Sequence, residues 1–219
     1  MTAAAGLRDA PIVAARTGLL IVDAQNGTCR AASREDAPYF FDRVNGIVIP
    51  NIATLLDAAR AAPIEVIHTV IRSLTADGRD RSLDYKLSGF HFPPGSREAE
   101  VIDELRPAGD EIILSKTSSS LFNSTNFEYI ARNIGLDCIL VTGFLTDQCI
   151  DHTIRDGADR GFRMICVTDA CGTKSAERHT RAIAAFRGYC RLMVTREVLG
   201  EIGADGAQAD LSGSMSRGK

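Results

Sequence analysis

Short apolar runs alternate with amphipathic stretches along most of the chain. Six runs have the length and β-branched content of buried strands: 18–23 ("GLLIVD"), 64–70, 111–115, 138–143, 163–169 and 190–195. Between them the apolar positions take a helical spacing at 49–62, 126–134, 147–160 and 176–189, with Gly135 and Gly161 as stops. A shorter helix is predicted at 97–105. The stretch 72–96 is polar and rich in Gly and Pro, a long connection of the kind that often carries function. Residues 1–16 read as an N-terminal extension. Residues 204–219, rich in Gly and Ser, read as a disordered tail.

Strands without polar alternation are buried on both faces. Interleaved with helices, they predict a three-layer α/β/α fold around a six-stranded, Rossmann-like parallel sheet. Ligands of such sheets sit beyond the carboxyl ends of the strands. The first strand ends on Asp23. The third runs into Ser115 and Lys116. The fourth leads through Gly143 and Phe144 to Thr146, Asp147 and Cys149, and the fifth ends on Asp169, followed by Cys171 and Thr173. A carboxylate, an ammonium and a thiol are thereby directed to one edge of the sheet. Thr146 or Asp147 is expected to cap the helix that holds Cys149, and this helix N-terminus, with Lys116, to lower the thiol pKa. Asp23 is placed to take the thiol proton and return it to a leaving amine.

Composition narrows the classes. The chain has 219 residues, 45% of them hydrophobic, enough for one substantial core. A net charge of -3 without a basic stripe argues against nucleic acid. No run approaches the roughly eighteen apolar residues of a membrane span. The first residues lack the basic start and apolar run of a secretory signal, so a cytoplasmic protein is expected. Of the six cysteines, none forms a CxxC pair, and Cys138, Cys166 and Cys190 read as small buried hydrophobes.

Three segments resemble the isochorismatase-like cysteine hydrolases, a family that includes nicotinamidase, N-carbamoylsarcosine amidase, biuret hydrolase and ureidoacrylate amidohydrolase. "LLIVDAQNG" resembles its aspartate strand, "LSKTSSSLFNST" its lysine segment and "VTGFLTDQCID" its nucleophile segment, and "RDGADRGFRMICVTDACGT" matches the stretch after it. The resemblance covers roughly Thr17 to Leu199 and assigns 17–203 to one hydrolase domain. It implies a catalytic Asp23, Lys116 and Cys149, a covalent thioester on Cys149, and a cis peptide at Phe144–Leu145 that turns the Leu145 and Cys149 N–H groups toward an oxyanion. None of the four histidines, His68, His91, His152 and His179, lies in the Asp-x-His segment with which nicotinamidases bind metal. No metal or other cofactor is therefore expected. True isochorismatases lack the cysteine. Retention of Cys149 points to C–N hydrolysis of a small amide, carbamoyl or ureido compound, with a vinyl-ether hydrolase or a non-catalytic binding protein as the alternatives. Relatives are commonly dimers or tetramers, so a homo-oligomer is expected.

Several residues carry two readings. Gln25 and Asn26 are substrate contacts or turn residues. Asn123 and Thr125 line the pocket or cap the next helix, and Phe122 is a pocket wall or core. His91 and Phe92 are candidates for a lid over the site. His152 shares a helix face with Cys149, although the family pairs its cysteine with lysine and aspartate. Arg178, His179 and Arg181 read as solvated surface or a subunit contact.

Overall fold

The computed structural model describes residues 3–203. The stretch 204–219, read as a tail, lies outside the described residues. β1 (Thr17–Val22), β2 (Glu65–Ile71), β3 (Ile112–Lys116), β4 (Cys138–Phe144), β5 (Arg163–Gly172) and β6 (Arg191–Met193) form one sheet, and every pairing is parallel. The order is β3-β2-β1-β4-β5-β6. The chain moves outward from β1 through β3, then returns to the other side of β1, so the crevice of the sheet opens between β1 and β4.

The helices are α1 (Ala3–Arg8), α2 (Asn26–Cys29), α3 (Pro38–Arg43), α4 (Ile49–Ala61), α5 (Leu83–Leu87), α6 (Leu121–Ser124), α7 (Phe127–Ile134), α8 (Asp151–Asp159) and α9 (Ala176–Phe186). Strand periodicity divides the core in two. Leu19 and Ile21 of β1 pack with Ile52, Leu55 and Leu56 of α4 on one face; Leu20 and Val22 pack with Phe127, Ala131 and Ile154 on the other. None of the helices is long and apolar enough to cross a membrane among the described residues.

Four elements differ from the sequence expectation. The helix predicted from 49 begins at Pro38, because α3 runs into α4 through a π-turn at Val44–Val48. Pro50 has no N–H for the ladder, and the wider turn ahead of it relieves the clash with the preceding turn. The helix predicted at 97–105 is two 3₁₀ turns, Arg97–Ala99 and Asp103–Leu105, on either side of a bridge between Val101 and Gln25. Its backbone bonds go outward instead: Asn26 N donates to Glu100 O and Ile102 N to Ala24 O. So short an amphipathic run is marginal as a helix by itself, and tertiary pairing decides. β5 continues to Gly172 past a bulge, where the register jumps from Val141↔Cys166 to Gly143↔Cys171. Within the bulge, Asp169 turns to accept from Thr195 N and Oγ1, both at 2.8 Å. Finally, part of the N-terminal extension enters the core: Ile12 and Ala14 are buried, and Ile12 N donates to Glu201.

Candidate active site

Register places the carboxylate and the ammonium. Val22 lies opposite Thr69, so Asp23, one residue on, donates its N–H to Thr69 O (3.0 Å) and accepts from Thr69 Oγ1 at 3.1 Å. Its φ of +53° is left-handed, a region that Asp tolerates better than most residues. Further along, Ile71 faces Lys116, the last residue of β3. Lys116 is fully buried, with Nζ 2.9 Å from Asp23 Oδ2, 3.1 Å from Ser118 O and 3.3 Å from Cys149 Sγ. The serine run after it holds the turn: Ser118 Oγ donates to Ser120 O, and Thr117 N donates to Ser124 Oγ.

The thiol arrives by a tighter route. Gly143 pairs with Val22 at a φ of +108°, and a Cβ there would lie 2.0 Å from Val22 O. Only glycine lets β4 pass β1 so closely just before Asp23. The Phe144–Leu145 peptide is cis. A π-turn, Thr146–Ile150, follows, with Leu145 O accepting from Gln148 N and Ile150 N. Neither Thr146 nor Asp147 caps this turn, contrary to expectation; extended Leu145 holds the N-cap position without a side-chain bond. Thr146 Oγ1 is instead 2.9 Å from His179 Nδ1, and Asp147 binds Thr173 Oγ1 and Arg178. The start of α9, read as solvated surface or a subunit contact, therefore braces the nucleophile turn.

Burial changes the protonation picture. It pushes the Cys149 thiol up to about 11; the Lys116 ammonium draws it down by less, and the Asp23 carboxylate adds to the rise. Lys116 lowers the value as expected, but burial outweighs it. Burial also raises Asp23, against the pull of Lys116. Burial alone would lower Lys116, but Asp23 and its other partners hold it well above the ordinary lysine value. Burial takes Cys29 and Cys190 to about 12.

Asp23 and Cys149 open onto a cleft of about 400 Å³. Phe40, Phe90 and Phe144 contribute apolar walls, with Asp36, Gln148 and Lys174 among the polar lining. The other residues singled out in the sequence fall elsewhere. Gln25 is buried and spent on backbone: Oε1 accepts from Ile71 N (2.6 Å), and Nε2 donates to Ile71 O (3.0 Å) and Glu98 O (2.9 Å). Asn26 donates to Arg97 O and Glu100 O. Phe122 packs on Phe127 and Phe162, Asn123 is exposed, and neither lines the cleft. Thr125 Oγ1 accepts from Phe127 N at the start of α7. His91 packs against Gly78 and Phe92 against Gly27; their neighbour Phe90 lines the cleft. His152 bonds Gln148 O (2.9 Å). Among the described residues no group of three or more His, Cys, Asp and Glu side chains is placed to hold a metal ion.

Two residues of the 72–96 connection escaped the sequence reading, Phe90 and Tyr85. Tyr85 OH lies 2.7 Å from Lys116 Nζ and 3.6 Å from Cys149 Sγ. The start of α5 was legible, since Ser82 Oγ caps it by accepting from Tyr85 N. Nothing local indicates where the tyrosine ring goes.

The isochorismatase domain family model matches residues 17–198. The chain is 30% identical over 132 residues to the N-carbamoylsarcosine amidase of Arthrobacter sp, a match covering 58% of this chain and 50% of that protein. It is also 30% identical over 171 residues to ureidoacrylate amidohydrolase RutB of Pantoea ananatis, covering 71% of this chain and 68% of the relative. The chain thus spans about half the length of the first of these relatives. A cysteine hydrolase from Pseudomonas syringae pv. phaseolicola 1448A superposes with a TM-score of 0.79 at 26% identity, covering 90% of this chain and 96% of the other.

Proposed function

The chain belongs to the isochorismatase family, and from that premise we propose that it is a cysteine-dependent hydrolase of a small amide, carbamoyl or ureido compound. The observation that carries this reading is the buried contact of Lys116 Nζ with both Asp23 Oδ2 and Cys149 Sγ beside the cleft. The names of the amidase and the amidohydrolase among its relatives support the choice of a C–N bond.

The chemistry follows from the charges. The resting thiol gives its proton to Asp23 as sulfur attacks the carbonyl carbon, and Lys116 offsets the charge that builds on sulfur. The C–S bond forms, and the carbonyl electron pair moves to oxygen, which the N–H groups of Leu145 and Cys149 receive. Collapse breaks the C–N bond, and Asp23 returns the proton to the leaving nitrogen. Water then attacks the thioester and gives a proton to Asp23; the C–S bond breaks, the acid product leaves, and Asp23 passes the proton to sulfur, which restores the thiol. A raised Asp23 pKa suits a group that must both take and give this proton. A cytoplasmic homo-oligomer without a metal or other cofactor completes the reading.

The test is ammonia or amine release from a panel of small amides and ureides, with intact-mass detection of an adduct on Cys149. Cys149→Ala abolishes both signals and leaves the fold in place. Near-normal turnover by that variant refutes the thiol mechanism. Turnover of isochorismate without release of ammonia or amine would establish the vinyl-ether reading instead.

A further inference from the structure

We propose that Tyr85 is a fourth member of the site, its hydroxyl accepting from Lys116 and donating its own proton to Cys149 Sγ whenever that sulfur carries negative charge. The inference rests on the thiol reading above and adds a residue to it.

The argument is a count of protons. An ammonium has three N–H donors. Lys116 Nζ lies within 3.3 Å of four acceptors: Tyr85 OH, Asp23 Oδ2, Ser118 O and Cys149 Sγ. Lys116 gives its three N–H groups to Tyr85 OH, Ser118 O and Cys149 Sγ, and Asp23 Oδ2 faces it as an ion pair without hydrogen-bond geometry, so Lys116 has no second donor for the sulfur. Tyr85 supplies that second donor. Its oxygen accepts at 2.7 Å from a cation, which leaves its hydrogen free to point elsewhere, and Cys149 Sγ at 3.6 Å is in reach.

The environment keeps that proton on the tyrosine. Tyr85 is 1% exposed, and its ring packs on Phe90 with centroids 5.4 Å apart. Burial raises its pKa from the ordinary phenol value, more than Lys116 lowers it. The hydroxyl is thus a donor and not a base. Sulfur is anionic twice in the cycle, when the thiol gives up its proton and when the thioester C–S bond breaks. The same O–H stabilises both moments, and no proton leaves the tyrosine in either. The placement is also indirect control of Lys116, because Tyr85 fixes one of its three donors.

Tyr85→Phe removes the hydroxyl and keeps the ring packing. The expected result is a fall in kcat of about tenfold or more with KM nearly unchanged, since the contact is to the nucleophile. The pH midpoint for alkylation of Cys149, read by mass spectrometry without any substrate, moves up by about one unit. Site-specific 3-fluorotyrosine at position 85, a stronger donor of the same shape, moves that midpoint down. An unchanged midpoint in both variants overturns the proposal, as does a rise in KM alone, which would assign the hydroxyl to substrate. A shifted midpoint with unaltered kcat overturns the catalytic role. Because alkylation needs no turnover, it reads the Tyr85–Cys149 coupling even if Cys149→Ala remains active and the thiol mechanism fails.

Discussion

The strand ends and the β2–β3 connection meet at Lys116, but different forces hold them there. Asp23, Lys116 and Gly143 are located by sheet register, with Val22 paired to both Thr69 and Gly143 and Ile71 paired to Lys116. The connection is held by polar side chains that bond to backbone. Asp80 accepts from Leu74 N, Thr75 N and Thr75 Oγ1, Arg81 donates to Gly78 O and Phe90 O, and Ser82 N donates to Thr117 O. Gln25 ties the two regions together through Ile71 and Glu98. The comparison teaches a division of labour. A register shared by several strands is cooperative and cannot shift one residue at a time. A loop fixed by separate hydrogen bonds can be loosened piece by piece.

The largest expected effect lies in the frame. Asp23→Asn lowers kcat at least about 10²-fold, because an amide cannot carry the proton. Lys116→Ala inactivates by another route, through loss of the charge that offsets the sulfur. Alkylation separates them. Labelling of wild-type Cys149 increases as pH rises toward about 11. Without Lys116 the midpoint moves up, and without the Asp23 charge it moves down. Additive activity losses with no movement of either midpoint would show that the three residues are not one unit.

Gly143→Ala tests how rigid that frame is. The positive φ costs an L-residue about 1–2 kcal/mol, and pressing a methyl into Val22 O adds roughly 1–3 kcal/mol of overpacking. Denaturant unfolding should show a loss in that combined range. A near-neutral substitution would mean that β1 and β4 separate easily at the very point where Asp23 and Cys149 converge.

A smaller effect is pH-dependent. Burial and the Arg43 guanidinium push His179 from 6.5 down to about 4. The unfolded chain therefore takes a proton that the folded chain refuses. The His179 contribution to stability is full above about pH 6.5 and is lost as pH falls toward 4. His179→Asn keeps a polar side chain near Thr146 and removes this titration, so its stability difference between pH 7 and pH 5 should shrink. An unaltered difference would place the acid sensitivity elsewhere.

The smallest effect belongs to the connection. Ser82→Ala removes the N-cap of α5, worth about 1 kcal/mol. Amide exchange should quicken in 72–96 while the global midpoint hardly moves. A global loss as large as that of Gly143→Ala would merge loop and frame into one cooperative unit and end the distinction.

Much of the fold was open to reading in the sequence because it depends on local periodicity. Continuous apolar runs such as "CILVTG" imply burial on both faces, and the carboxyl-edge rule then singles out Asp23, Lys116 and Cys149 without coordinates. The family motifs carried the cis peptide at Phe144–Leu145 as well. Where the reading fell short, the deciding contacts are distant in sequence. Gln25 looks like a substrate contact until Ile71 and Glu98 take its amide. Phe122 lies within the lysine segment, yet it turns to Phe162.

The sequence by itself determined the layered sheet and the order in which an acid, an ammonium and a thiol reach its edge, since strand period and strand ends are written in adjacent residues. The tertiary structure decided which tyrosine lies against Lys116 and Cys149, and how far burial outweighs the ammonium at the thiol. A thiol pKa sums burial and every nearby charge, and Tyr85 reaches Cys149 across a separation of 64 residues. No window of neighbouring residues contains either quantity.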